Sequence, residues 1–223
     1  MTVISHDILL QQADSWLSDA AAAQVAQPDL PLGSFAPAST ALCILDMVNG
    51  FAVSGALASP RVGALIEPIA VLARRCREVG MPVFAFADTH TPESPELSSY
   101  PPHCLRGTAE AEVCAPIAAV PGLVTFEKNS TNGFLEDPFR RWLEDNPGIR
   151  TLIAVGDCTD ICVYQFAVAA KAYFNTRNHD ARVIVPTALT DTFDAPGHPA
   201  DLLNTVFWRS MQDNGVELCR QIL

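Results

Sequence analysis

Five stretches of the chain hold residues that could do nucleophilic or metal chemistry. LDMVNGF carries Asp46, ADTH carries Asp88 and His90, and PELSSYPPHC carries Glu96 and His103. FEKNSTNGF carries Lys128, and VGDCTDICV carries Cys158, Asp160 and Cys162. A thiol near a helix start is a candidate nucleophile, because the helix dipole favours its thiolate and free backbone N–H groups there can hold an oxyanion. Cys158 lies on the same turn and is the nearest rival to Cys162. Asp46 directly follows an apolar run, so its carboxylate is nearly buried and needs a partner. Asp46 is therefore read as the base for the Cys162 proton and Lys128 as the compensating cation. The plain alternatives are a loop-stabilising aspartate, a solvated lysine and an inert buried cysteine. The last reading is kept for Cys43, Cys76, Cys114 and Cys219.

Asp88 and His90 are two residues apart, so at a strand end they point the same way. Glu96 and His103 follow on a loop stiffened by Pro92, Pro95, Pro101 and Pro102. Imidazole and carboxylate donors suit Zn²⁺, Mn²⁺ or Fe²⁺ better than Ca²⁺. Loop ligands have no fixed period, so spacing alone fits a polar loop as well as a metal site.

These residues matter only if strands and helices bring them together. Apolar runs at 41–46, 81–88, 122–128, 151–156 and 181–186 predict buried strands, and VELCR starts a short sixth. Helical patterns cover 7–24, 59–80, 137–148, about 160–174 and 199–215. Ser59 is a candidate cap for the second, with Pro60 just inside. Apolar strands alternating with helices predict an α/β fold: a doubly wound, mostly parallel six-stranded sheet with helices on both faces. Such sheets bind ligands at the carboxyl ends of their strands. Asp46, Asp88 with His90, Lys128, and the 158–162 turn each follow or end a strand, so all fall on that rim. The loop at 187–200 joins the same rim, with His198 as a lid residue or a loop-stabilising group. A helix and Pro-rich connector (1–39) precede a main domain (40–223).

The formal net charge of −11 argues against nucleic acid, whose phosphates would be repelled. No apolar run reaches the roughly 18 residues of a membrane span. No basic segment leads into an apolar core at the N-terminus, so no signal peptide is expected. Seven cysteines without regular spacing predict no disulfide framework and point to a reducing, cytoplasmic compartment.

Taken in order, the five stretches resemble those of the nicotinamidases of the isochorismatase-like cysteine hydrolases, over roughly residues 40 to 220. The resemblance implies a catalytic triad of Asp46, Lys128 and Cys162. It implies a divalent metal (Zn, Mn or Fe) on Asp88, His90, Glu96 and His103, with Glu96 preferred to Glu93 for its seven-residue spacing to the histidine. Phe51 and Tyr100 match ring-walling aromatics. The amides of Cys158 and Cys162 match the oxyanion hole, with a cis peptide at Asp157–Cys158. Asp157 departs from the pattern, which has an apolar residue there. The implied reaction is hydrolysis of nicotinamide to nicotinate through a cysteine thioester, by a homo-oligomer acting on a small-molecule amide. The competing readings are hydrolysis of another small amide, a catalytically silent binding protein, or a metal that only ties down its loop.

Overall fold

The computed structural model describes residues 5–223; residues 1–4, the start of the N-terminal segment, lie outside the described residues. Six strands form one sheet: β1 (Thr40–Leu45), β2 (Val83–Asp88), β3 (Val124–Lys128), β4 (Thr151–Gly156), β5 (Arg182–Pro186) and β6 (Glu217–Cys219). Their spatial order is β3-β2-β1-β4-β5-β6 and every pairing is parallel, so the expected mostly parallel sheet is wholly parallel. Eight α-helices accompany it among the described residues: α1 (His6–Val25), α2 (Asn49–Ala52), α3 (Pro60–Gly63), α4 (Ile66–Glu78), α5 (Ala115–Ala118), α6 (Asp137–Asp145), α7 (Tyr164–Thr176) and α8 (Ala200–Asp213).

The central strands are apolar throughout because both of their faces are covered. Leu42, Ile44, Ile153, Val155 and Ile184 pack with Ile69, Leu72, Ala73 and Cys76 of α4 on one side. The alternate residues Cys43, Leu45, Leu152, Ala154 and Val183 pack with Phe139 of α6 and Phe166, Ala170 and Phe174 of α7 on the other. Edge strand β3 is different: Val124 is exposed and only Lys128, at its end, is buried.

The helix expected over 59–80 is two helices, α3 and α4, separated by a turn at Ala64–Leu65. Ser59 makes no side-chain cap bond, and Pro60 opens α3 instead. α1 lies against α8, with Gln24 Nε2 donating to the Thr205 carbonyl. Of its residues only Ala20 is buried, and Ile8, Leu9 and Trp16 remain exposed. The connector is anchored further on, where Leu30 pairs with Ile222 in the segment that follows β6. No described helix is long and apolar enough to cross a membrane.

Chain order reverses between β1 and β4. This is the crevice where an open parallel sheet receives ligands. Gly156 permits the tight seam there: its φ is +114°, and a Cβ would meet the Leu45 carbonyl oxygen at 2.0 Å.

Candidate active site

Asp46 leaves β1 in the left-handed backbone region, φ 51°, a conformation that costs a non-glycine residue energy and is held by the surrounding structure. Its N–H donates to the Phe86 carbonyl at 2.9 Å, so β2 fixes the residue in place. The side chain is fully buried and lies beside Lys128, whose Nζ is 2.9 Å from Asp46 Oδ2. Lys128 also donates to Asp88 Oδ1 at 2.7 Å and to the Ser130 carbonyl at 2.9 Å, and it reaches Cys162 Sγ at 3.9 Å. The lysine is 1% exposed, so the solvated-lysine alternative fails. One ammonium thus joins the ends of β1, β2 and β3 to the turn after β4.

That turn is a π-type helical turn, Thr159–Val163, leading directly into α7. Such wide turns recur at functional sites because they push one residue out of the regular helical row. The peptide Asp157–Cys158 is cis, as the resemblance implied. Cys162 is 7% exposed.

The electrostatics correct one expectation. Burial pushes the Cys162 thiol well above its ordinary range, and Asp46 adds to this while Lys128 opposes it. The dipole argument therefore loses to desolvation, and the resting sulfur is a thiol that needs a base. Asp46 suits that role. Burial raises its carboxyl to about 6, with the Lys128 charge opposing and the Asp88 charge adding. Burial works against the Lys128 ammonium, but the Asp46 and Asp88 carboxylates outweigh it and hold it well above the ordinary range. Cys158, the rival, has its thiol against Asp157 Oδ2 at 3.5 Å, and burial raises it strongly too. Asp157 itself is buried, and desolvation followed by the Asp46 charge drives its carboxyl well above the usual range. Burial thus works against a negative charge on this residue.

The second cluster adjoins the first. Asp88, His90, Glu96 and His103 each offer one donor atom, all within 4.8 Å of one another. Asp88 Oδ2 lies 2.7 Å from His90 Nε2 and 3.1 Å from His103 Nε2, while Glu96 Oε1 is 3.8 Å from His90 Nε2. The other ring nitrogens are engaged outward: His90 Nδ1 with Asn129 Oδ1 at 3.0 Å, and His103 Nδ1 with the Pro101 carbonyl at 2.8 Å. That second ring of bonds turns both Nε2 atoms inward, as metal-binding histidines require. Burial works against the Asp88 anion, but Lys128 and the two imidazoles outweigh it and hold the carboxyl well below the carboxylate range. Two imidazoles and two carboxylates, mostly buried, fit a divalent transition-metal ion.

Both clusters line one pocket. Phe51 and Tyr100 line it and flank His103, with ring centroids 5.5 and 6.1 Å from the imidazole. The structure thus brings together Asp46, Phe51, Asp88, Glu96, Tyr100, His103, Lys128, Cys158 and Cys162 as pocket-lining residues, with His90 buried behind. Leu57, Val62, Thr131, Ile161 and Phe193 also line it and were not singled out from the sequence. They come from loops and helix starts where no periodicity marks a pocket. Only the residue types, apolar or aromatic on the expected rim, carry a signal.

The comparisons with known proteins agree with this architecture. An isochorismatase domain model matches residues 40–215. Nicotinamidase 1 of Arabidopsis thaliana is 35% identical over 189 residues, covering 73% of each chain. Among solved structures, the N-carbamoylsarcosine amidase of Thermoplasma acidophilum superposes with a TM-score of 0.66 at 28% identity, covering 82% of this chain and 96% of that one. A nicotinamidase of Bacillus subtilis superposes with a TM-score of 0.65 at 25% identity, covering 81% of this chain and 99% of that one. With the domain model spanning most of its length and its polar residues gathered at the seam of a wholly parallel sheet, this chain belongs to the isochorismatase family.

Proposed function

We propose that the protein hydrolyses nicotinamide to nicotinate and ammonia through a thioester on Cys162. The observation that carries this reading is the contact of Lys128 with Asp46, Cys162 and Asp88 at once, which puts a thiol, its base and a metal-type donor cluster in a single pocket. A silent binding protein has no need of that arrangement.

In the proposed reaction Asp46 takes the Cys162 proton as the sulfur attacks the carboxamide carbon. Lys128 stabilises the anionic pair through its short contact with Asp46 and its reach to the sulfur. The backbone N–H groups of Cys158 and Cys162 receive the developing oxyanion. Asp46 then returns its proton to the departing ammonia, leaving an acyl thioester. A water deprotonated by the same carboxylate attacks that thioester, releases nicotinate and restores the thiol. Phe51 and Tyr100 hold the flat ring between them. A divalent ion held by Asp88, His90, Glu96 and His103 would bind the pyridine nitrogen and so orient the ring.

The direct test is ammonia release by the purified protein with Zn²⁺, Mn²⁺ or Fe²⁺ added, on a panel of nicotinamide, pyrazinamide, benzamide and aliphatic amides. Nicotinamide and pyrazinamide should be turned over well. Benzamide lacks the ring nitrogen and should be much poorer. Equal rates on benzamide would dismiss the anchoring role, and rates highest on an aliphatic amide would favour a different small-amide substrate.

A pH profile tests the base. Asp46 must be ionised to accept the thiol proton, and its carboxyl is raised to about 6. Activity should therefore be present above that pH and lost as pH falls through it. An unburied aspartate would put the same limb near about 4. A kcat/KM profile flat from pH 7 down to 5 would rule out Asp46 as the group that governs the reaction.

A further inference from the structure

The loop after β5 meets the nucleophile turn twice. Thr159 N–H donates to the Asp191 carbonyl at 3.0 Å, and His198 Nε2 lies 2.9 Å from Asp160 Oδ2. Asp160 stands two residues before Cys162 in the same turn. Its other oxygen, Oδ1, is buried without a partner, so among the described residues His198 supplies the one side-chain contact this carboxylate has. The histidine is constrained from the other side as well. Its Nδ1 lies 2.9 Å from the Phe193 carbonyl, and its ring stacks on the Phe193 ring at 3.7 Å with 11° between the planes. A tight turn through Pro196 and Gly197, closed by paired bonds between Ala195 and His198, sets where the histidine starts. Phe193 lines the active-site pocket.

We propose that His198 is a positioning residue: braced on Asp160, it fixes Phe193 as a third aromatic wall and so sets the size of amide that can reach Cys162. An unsupported phenylalanine on a ten-residue loop would sample several rotamers. Here both faces of the brace are bonded, so the ring is held ready at no cost on binding. The bond to Asp160 also makes the wall and the nucleophile turn one rigid unit. The proposal builds on Cys162 as the reactive sulfur but not on nicotinamide as the substrate.

The test uses the intact protein and compares alkylation of Cys162 by a small reagent, iodoacetamide, with a bulky one, fluorescein maleimide, read by mass spectrometry of the Cys162 peptide. His198→Ala and Phe193→Ala should each raise the bulky-to-small rate ratio about three- to tenfold, the worth of a lost aromatic contact. The double variant should show no further rise, because both changes remove one wall. On nicotinamide, KM should rise by a similar factor in each. A wild-type ratio in His198→Ala, or a double variant whose effect is the product of the two, overturns the proposal. Where His198→Ala fails to fold, His198→Gln keeps a donor toward Asp160 yet cannot stack, and the same rise is expected. If the wild type leaves nicotinamide intact, the substrate reading falls while the alkylation ratio still decides the role of His198.

Discussion

Cys162→Ala is expected to lower ammonia release by at least about 10⁴-fold, because no other group can form the acyl intermediate. The nearest thiol, Cys158, faces Asp157 Oδ2 and cannot substitute. The loss should fall on turnover and leave binding intact. Alanine removes only the sulfur and leaves the Phe51 and Tyr100 walls and the four-donor cluster in place. Calorimetric titration of nicotinamide into the metal-loaded variant should thus give an affinity close to the wild-type KM. Measurable release above the uncatalysed rate would mean that water attacks the amide directly, and the thioester route would be wrong.

Lys128→Met is the second large effect, and it acts on stability as well as rate. The methionine fills much the same space but removes the cation between Asp46 and Asp88, both buried. Asp46 then has no cation beside it in a buried site, and Asp88 keeps only its two imidazole contacts. Breaking a buried pair from one side typically costs about 3–5 kcal/mol. The urea midpoint should fall accordingly, and the loss should shrink at low pH, where protonating the carboxylates removes the repulsion. Activity should fall to near background, because the anion formed during sulfur attack loses its counter-charge. A variant as stable as wild type at neutral pH would show that Lys128 does not hold the two carboxylates together.

Much of the fold follows from patterning that a reader can see. Strand β4 is found at its expected residues, and the others differ by a few residues at their ends. The single helix read over 59–80 failed at Ala64–Leu65, directly after Gly63, whose missing side chain lets the Ala52 carbonyl approach closely. The site was legible for a different reason. Asp46, Asp88, Lys128 and the 158–162 turn each sit where an apolar run stops, and a parallel sheet aligns such ends on one rim. What stayed hidden was environment. The raised carboxyl of Asp157 and the raised thiol of Cys162 depend on desolvation by neighbours far along the chain, which local sequence does not encode. Phe193 likewise lines the pocket from a loop whose histidine contacts an aspartate 38 residues back in the chain.

The seam at β1 and β4 divides the molecule's chemistry between its two halves. Base, lysine and metal-type donors all come from the segment ending with β3, and the sulfur comes from the segment after it. Ile44 pairs with Val155, so joining the halves closes a very long loop of chain. Contacts of that kind form late, since their entropic cost precedes their reward. A half-made chain emerging from the ribosome can thus hold helices, strands and even a bound ion while remaining chemically inert. The return of activity during refolding then reports one event, the meeting of the two halves, whatever the spectroscopic signal of secondary structure has already done.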